Sequence, residues 1–318
     1  MTDPSRVTTP AVLISNPSAG RGRRRKTTER ILETLRAGGY DAELRTTRQP
    51  GHATQLARQA AVEGAGAVFA YGGDGTLREA AAGLLGTRVP IGFIPGGTTN
   101  VMTLALGLPP HPLRAAAALA RARSRTGSGE RGRTPIREMD VGLCGDEAFL
   151  MLASSGFDAR VVTTLPAGVK RRFGRLAVAV SALHHAATYR FPPIEVEADG
   201  RLLAPGTLVA ICNIPYYGGP WRLAPRARTD DRRLDLFVFR GKGLLATAAL
   251  ARDLVVGQRH LGRPDVESLK VEEVKLRPGE APVEIDGDLY RGPGPISIRL
   301  SQVRLRVLAP HDSGPPPP

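Results

Sequence analysis

The segment Gly72-Gly73-Asp74-Gly75-Thr76 has the residue types and spacing of a phosphate cradle. Glycines let backbone N–H groups approach phosphate oxygens closely, and a helix starting there adds its dipole. Asp74 in such a turn can meet a phosphate-bound magnesium ion. The same residues also suit an ordinary Gly-rich turn between strand and helix. Two further polar loops, Asn16-Pro17-Ser18-Ala19-Gly20 and Gly96-Gly97-Thr98-Thr99-Asn100, follow apolar runs. Ligands of open α/β sheets bind at the carboxyl ends of strands, so three such loops should converge on one crevice. Neither GxxxxGK[ST] nor GxGxxG occurs, which disfavours Walker-type and dinucleotide fingerprints.

The elements that must position these loops are legible as alternating runs. Strands are expected at 11–15, 41–45, 67–71 and 90–94, with helices at 26–37, 53–63 and 76–85. This alternation predicts a parallel, Rossmann-like α/β sheet. After about residue 122 the pattern changes, and 124–135 reads as a Ser/Gly/Arg-rich surface loop. Short strands follow at 138–143, 147–153, 194–198, 207–213, 234–239, 268–276, 283–285 and 296–299, interrupted by helices at 175–188 and 243–256. Such density predicts an all-β, sandwich-like second domain. The expected division is 10–135 and 136–310, with disordered tails at 1–9 and 311–318.

Composition bounds the partners. The chain has 318 residues, 42% of them hydrophobic, enough for a packed core. Cys144 and Cys212 are the two cysteines, without CxxC spacing, so a disulfide framework or zinc site is not expected and a reducing cytoplasm fits. The polar start at 1–10 predicts no signal peptide, and no run reaches the roughly 18–20 apolar residues of a spanning helix. The net charge of +14 favours anionic partners, although much of it is Arg in an Ala/Gly/Arg/Pro-rich chain. No aromatic-basic interleaving points to a specific nucleic-acid module. The run Lys170 to Arg175 before apolar 176–183 could touch an anionic bilayer surface or simply end a core-packed helix. Arg21 and Arg23 to Lys26 read as a solvated helix start.

The chain resembles the catalytic family of diacylglycerol kinases, sphingosine kinases and their bacterial lipid-kinase relatives. An ordered set of segments carries the resemblance from Val12 to about Pro310. It comprises Asn16-Pro17 with Gly20, Gly72 to Thr76 with Glu79, Gly97-Thr98 with Asn100, and Asp140-Val141-Gly142. Later come Gly156-Phe157-Asp158-Ala159, Asn213 with Gly218-Gly219, Pro225 with Ala227, and Ile285-Asp286-Gly287-Asp288.

The resemblance implies ATP in a cleft between two domains. It implies nucleotide contacts from the backbone of Gly72, Gly73, Asp74, Gly75 and Thr76, from Asn16 and Thr47, and from Gly97 and Thr98. Thr46 competes with Thr47, and Glu79 would begin the helix behind the phosphates. It also implies a structural magnesium site at Asp231, with the carbonyls of Arg228 and Arg233; Arg232 stands where the family has Gly, and a plain surface turn is the alternative. Where the family has a catalytic Glu after Asp-Gly, this chain has Asp288, one methylene shorter. Asp288 is then the expected base, with Asp74 organising the phosphates, although Asp-Gly is also a strong hairpin signal.

The function expected is transfer of the ATP γ-phosphate to a hydroxyl of a diacylglycerol-like or sphingoid-like lipid, by a cytoplasmic protein that touches the membrane peripherally and could form a homodimer. The alternatives are an NAD kinase-like phosphotransferase, which shares the Gly72–Thr76 turn, and a non-catalytic nucleotide- or lipid-binding regulator.

Overall fold

The computed structural model describes residues 8–17, 24–97, 99–124, 136–165 and 175–309. The expectations for Ser18 to Gly20, Arg21, Arg23, Thr98, Lys170 to Gly174, the loop at 125–135 and both tails fall outside these residues. The chain forms two compact units, Met1–Met139 with Val303–Pro318, and Asp140–Gln302.

In the first unit, strands β1 (Thr9–Ser15), β2 (Tyr40–Thr46), β3 (Ala67–Gly72) and β4 (Ile91–Pro95) alternate with helices α1 (Arg24–Ala37), α2 (His52–Val62) and α3 (Asp74–Leu84). Helices α4 (Val101–Ala105) and α5 (Pro112–Ser124) follow, then β5 (Ile136–Met139). β1 pairs parallel with β2 and β3, and β3 pairs parallel with β4. Parallel sheets are covered on both faces, so their strands read as unbroken apolar runs. Every residue of β3 and β4 is accordingly buried. Leu13 and Ile14 are fully buried, each contributing about 2 kcal/mol. Helix α1 packs on α5 and α2 on α3. The approach is close: a Cβ on Gly83 would meet the Thr54 carbonyl oxygen at 2.3 Å.

The division expected at 135/136 changes here. The strand Leu305–Leu308 lies between β4 and β5, parallel to β4 and antiparallel to β5. The last strand of the chain therefore completes the first unit's sheet.

The second unit is a β-sandwich. One six-stranded sheet has the order 201–202, 195–198, 273–277, 296–300, 142–144, 147–149; the other has 266–271, 234–239, 208–212, 152–156, 283–285, 288–289. Val196, Val274, Leu276 and Ile298 of the first sheet share a core with Val209, Ile211, Leu236 and Val238 of the second. The opposite face of the second sheet is also buried. Ala210, Phe237 and Phe239 pack there with residues of α6 (Phe157–Thr163), α7 (Arg175–Thr188) and α8 (Gly243–Val255). The run 268–276, expected as one strand, is two strands. Val266–Val271 pairs with Leu234–Phe239, whereas Glu273–Arg277 pairs in the other sheet. Asp199 Oδ1 accepts the N–H groups of Glu272 and Glu273, each at 2.9 Å, and holds the corner where the chain changes sheets.

Candidate active site

Register puts the expected nucleotide loops at one sheet edge. Ser15, the last residue of β1, lies opposite Thr46 and Tyr71, and Gly72 opposite Pro95. The segments after β1, β2, β3 and β4 consequently emerge side by side. Cross-links tie them together. Asn16 Nδ2 donates to Thr76 Oγ1 at 3.0 Å, and Asn16 N–H to the Tyr71 carbonyl at 3.2 Å. Thr47 N–H donates to the Ser15 carbonyl at 3.0 Å, and Gly96 N–H to the Gly72 carbonyl at 2.7 Å. Thr47 is buried while Thr46 is exposed, which separates the two candidates by position.

The glycines have distinct uses. A Cβ on Gly72 would meet Thr76 Cβ at 2.5 Å, and one on Gly97 would meet Gly73 Cα at 2.7 Å. A Cβ on Gly75 would have no neighbour within 4 Å. Gly72 and Gly97 serve close packing, and Gly75 lies at the open start of α3. Asn100, at φ 48°, accepts Gly97 N–H at 2.8 Å and donates back to its carbonyl at 3.0 Å, closing the second loop on itself.

Asp74 has a different partner set from the one expected. Its carboxylate accepts Thr99 Oγ1–H at 3.2 Å, Val101 N–H at 3.2 Å and Met102 N–H at 3.3 Å. The first N–H groups of a helix lack intrahelical acceptors, and Asp74 supplies one for α4. It is a lock between the two Gly-rich loops. Glu79 does the same for α2, accepting Ala53 N–H at 3.2 Å, while its carbonyl accepts Thr54 Oγ1–H at 2.8 Å. Both acidic residues position the edge from behind.

In the second unit, the turn joining Val283–Ile285 to Asp288–Leu289 carries Asp286, Gly287 and Asp288. The Asp286 carboxylate accepts N–H groups from Leu150 at 2.7 Å, Met151 at 2.9 Å and Leu152 at 3.0 Å. Asp286 sits at φ 51° and Gly287 at φ 95°, so the turn is left-handed at both. Asp288 is exposed at its end. The segment is thus a hairpin turn, with Asp288 the first residue of its returning strand.

The loop at 228–235 departs from the expected metal site. Asp231 Oδ1 accepts Arg233 N–H at 3.1 Å, and Oδ2 accepts the Lys270 ammonium at 2.6 Å. Lys270 lies opposite Asp235 in the sheet and also donates to its Oδ2 at 3.2 Å. Burial alone would lower the Lys270 pKa, but the bonds to Asp231 and the charge of Asp235 outweigh it and raise it. Arg232 takes φ 59°, the conformation Gly suits, and its guanidinium and N–H both bind buried Asp140, at 3.2 and 2.8 Å. Arg228 pairs with Asp230 at 3.1 Å. Magnesium requires oxygen ligands, and here nitrogen donors face the Asp231 carboxylate. With both carboxylate oxygens of Asp231 engaged by nitrogen donors, the one acidic ligand expected beside the Arg228 and Arg233 carbonyls does not fit that ion in this arrangement. Among the described residues no three His, Cys, Asp or Glu side chains group for a metal.

Comparison with known proteins decides the family. Residues 10–128 match the diacylglycerol kinase catalytic domain, and residues 151–309 match the YegS C-terminal NAD kinase beta sandwich-like domain. A Pseudomonas aeruginosa (strain UCBPP-PA14) protein described as "Probable lipid kinase YegS-like" is 31% identical over 293 residues, 87% of this chain and 88% of that one. The chain belongs to the bacterial diacylglycerol kinase and YegS-like lipid kinase family. It is a lipid kinase by that membership. A diacylglycerol kinase of Bacillus subtilis (strain 168) is 28% identical, covering 87% of this chain and 89% of its own. A solved structure of a diacylglycerol kinase from Bacillus anthracis str. Sterne has the same fold, with a TM-score of 0.70, 23% identity and coverage of 95% and 97%.

Within this lipid kinase, sequence reasoning passed over several residues that hold the candidate site. Thr99 and Asn100 were visible as motif members, but their partners Asp74 and Gly97 required the fold. Ser154, Tyr217 and Glu284 surround Asp158 and the Asp288 turn, and no spacing rule connects them.

Proposed function

We propose that this lipid kinase transfers the γ-phosphate of ATP to a hydroxyl of a diacylglycerol-like or sphingoid-like lipid. The observation that carries the reading is the close backbone approach of Gly73 and Gly97 at the sheet edge, with the first turn of α3 open at Gly75. Backbone N–H groups of Gly73 to Thr76 are suited to hold the nucleotide phosphates, with the helix dipole adding to the attraction. Asn16, Thr47 and the loop from Gly96 to Asn100, with Thr98 among its residues, flank them. Asp74 fixes the two loops to each other, a positioning role. Magnesium bound with ATP would spread the charge of the transferring phosphoryl group; the protein's own contribution is to hold the phosphates and remove a proton. Asp288 takes the proton from the lipid hydroxyl as its oxygen bonds to phosphorus and the bond to the ADP oxygen breaks.

Peripheral membrane contact is part of the proposal. No described helix is long and apolar enough to cross a membrane. The neighbouring helices α7 and α8 leave Val180, Leu183 and Leu245 exposed, at 61%, 63% and 86%. Apolar side chains on such helices can enter a bilayer surface while basic groups meet anionic headgroups.

The test is incubation with γ-labelled ATP, magnesium and a mixed lipid extract, with NAD supplied in a parallel arm. Labelled lipid supports the proposal. Labelled NADP, or ATP binding with no labelled product, contradicts it.

A further inference from the structure

Strand Leu152–Gly156 runs antiparallel to Val283–Ile285, and Ser154 lies directly opposite Glu284. Side chains alternate across a strand. Ala153, Val283 and Ile285 face the sandwich core, so Ser154 and Glu284 share the other face. Asp158, in the first turn of α6, joins them there, and all three are at most 2% exposed. Nothing in the proposed phosphoryl transfer uses this group.

Proton counting assigns its state. Ser154 Oγ lies 2.6 Å from Asp158 Oδ2 and 2.9 Å from Glu284 Oε1. A hydroxyl carries one proton and can donate to only one of these oxygens. The other contact requires a proton on a carboxyl group. Asp158 already accepts the Tyr217 hydroxyl on its second oxygen, an arrangement that suits an ion. Glu284 therefore carries the second proton and donates it to Ser154, which donates to Asp158. The remaining Glu284 oxygen, Oε2, accepts Gly287 N–H at 2.6 Å.

We propose that Glu284 is a positioning residue whose protonated carboxyl bridges Ser154 to Gly287 and sets the turn that presents Asp288. The inference rests on the reading of Asp288 as the base. The turn is clamped from two sides. Asp286 is held by the backbone of 150–152, and Gly287 by Glu284. Through its side chain, Glu284 links the Gly287 N–H of the turn to Ser154 of the neighbouring strand, and Ser154 in turn contacts Asp158 of α6. Small displacements of a reacting group are costly, so the clamp bears directly on rate.

The surroundings favour the neutral acid. Burial first, then the charge of Asp158, push the Glu284 carboxyl well above its ordinary range, with Asp286 adding to the effect. Among the described residues, Tyr217, Cys212 and Cys144 also sense its charge. None of these is a cation. A raised folded-state pKa has a definite consequence for stability. The contribution is fully present below the unfolded pKa, near 4.5, and is lost as pH rises toward the folded value, because the folded chain keeps a proton that the unfolded chain releases.

The experiment compares wild type, Glu284→Gln, Glu284→Ala and Asp288→Asn. Two quantities are read: kcat on diacylglycerol in mixed micelles, and the thermal midpoint between pH 5 and 9 without substrate. Glu284→Ala is expected to lower kcat by roughly 10- to 100-fold with the KM for ATP unchanged. Glu284→Gln should rescue that loss, since its amide donates to Ser154 and accepts from Gly287. Its midpoint should rise relative to wild type as pH increases, because it has no proton to lose. Wild-type kcat in Glu284→Ala beside an inactive Asp288→Asn overturns the positioning role. Parallel pH curves for wild type and Glu284→Gln overturn the protonated state, whether or not the Ala variant folds. Full activity in Asp288→Asn overturns the base reading instead, and the melting curves still decide where the proton sits.

Discussion

Gly97 and Gly73 meet backbone to backbone: a Cβ added to Gly97 would stand 2.7 Å from the Gly73 Cα. Gly73 immediately precedes α3, so a side chain on Gly97 would press on the start of that helix. Gly97→Ala should therefore cost about 1–3 kcal/mol of stability as an overpacked contact. It should also weaken ATP binding, because the shifted atoms include the N–H groups proposed to hold phosphate. Chemical denaturation and calorimetric titration with ATP check both. Unchanged ATP affinity would place the nucleotide elsewhere.

Asn100 exchanges two hydrogen bonds with Gly97. Asn100→Ala removes both and leaves a residue with φ 48° that lacks Asn's tolerance for that region. A stability loss of about 1–3 kcal/mol is expected, with a higher KM for ATP. Asn100→Gly should recover part of the loss, since Gly accepts the backbone conformation.

The loop at 228–235 should not depend on magnesium. Lys270 provides the positive charge between Asp231 and Asp235. Dialysis against EDTA should leave the thermal midpoint of the wild type unchanged. Lys270→Ala should lower stability by about 1 kcal/mol, a modest figure because the pair is partly exposed to water. Addition of magnesium should restore some of it. A wild-type midpoint that falls on chelation would contradict this account of the loop.

Both cysteines should be inert in the folded protein. Burial, then the Glu147 charge, push the Cys144 thiol up to about 12, and burial, then the Asp235 charge, raise Cys212 further. The thiolate is the reactive form. Iodoacetamide at pH 8 should leave both unmodified until the chain unfolds, which intact-mass measurement over a denaturant series would show.

The first unit was largely readable because its inner strands β1, β3 and β4 are buried on both faces. Ala11 to Ser15 and Ala67 to Tyr71 stand out as apolar runs, and Gly-rich turns mark their carboxyl ends. Pairing partners were not readable. No strand was expected at 305–308, and nothing in those residues signals that the chain returns between β4 and β5. The split at Glu272 leaves only a small trace, a change of phase from apolar Leu269 and Val271 to apolar Val274 and Leu276, at the corner held by Asp199. Within the site, the loops were visible and their cross-links were not. Asp74 could be read as a residue that meets a phosphate-bound metal, but its bonds to the start of α4 depend on where that helix lies and were not legible. Lys270 lies 39 residues from Asp231, and only sheet register brings the two together. Glu284 lies in a three-residue strand, too short for its pattern to show that the face it occupies is covered by α6.

Asp288 is the residue on which the chemical reading turns, and Asp288→Asn is the variant that tests it most directly. The measurement is transfer of label from γ-labelled ATP to diacylglycerol in mixed micelles, with products identified by mass spectrometry and ATP affinity measured alongside. The account predicts a phosphorylated lipid from the wild type, and from Asp288→Asn a loss of about 10²- to 10⁴-fold in kcat with ATP affinity unchanged. A variant that phosphorylates lipid as fast as the wild type would contradict it.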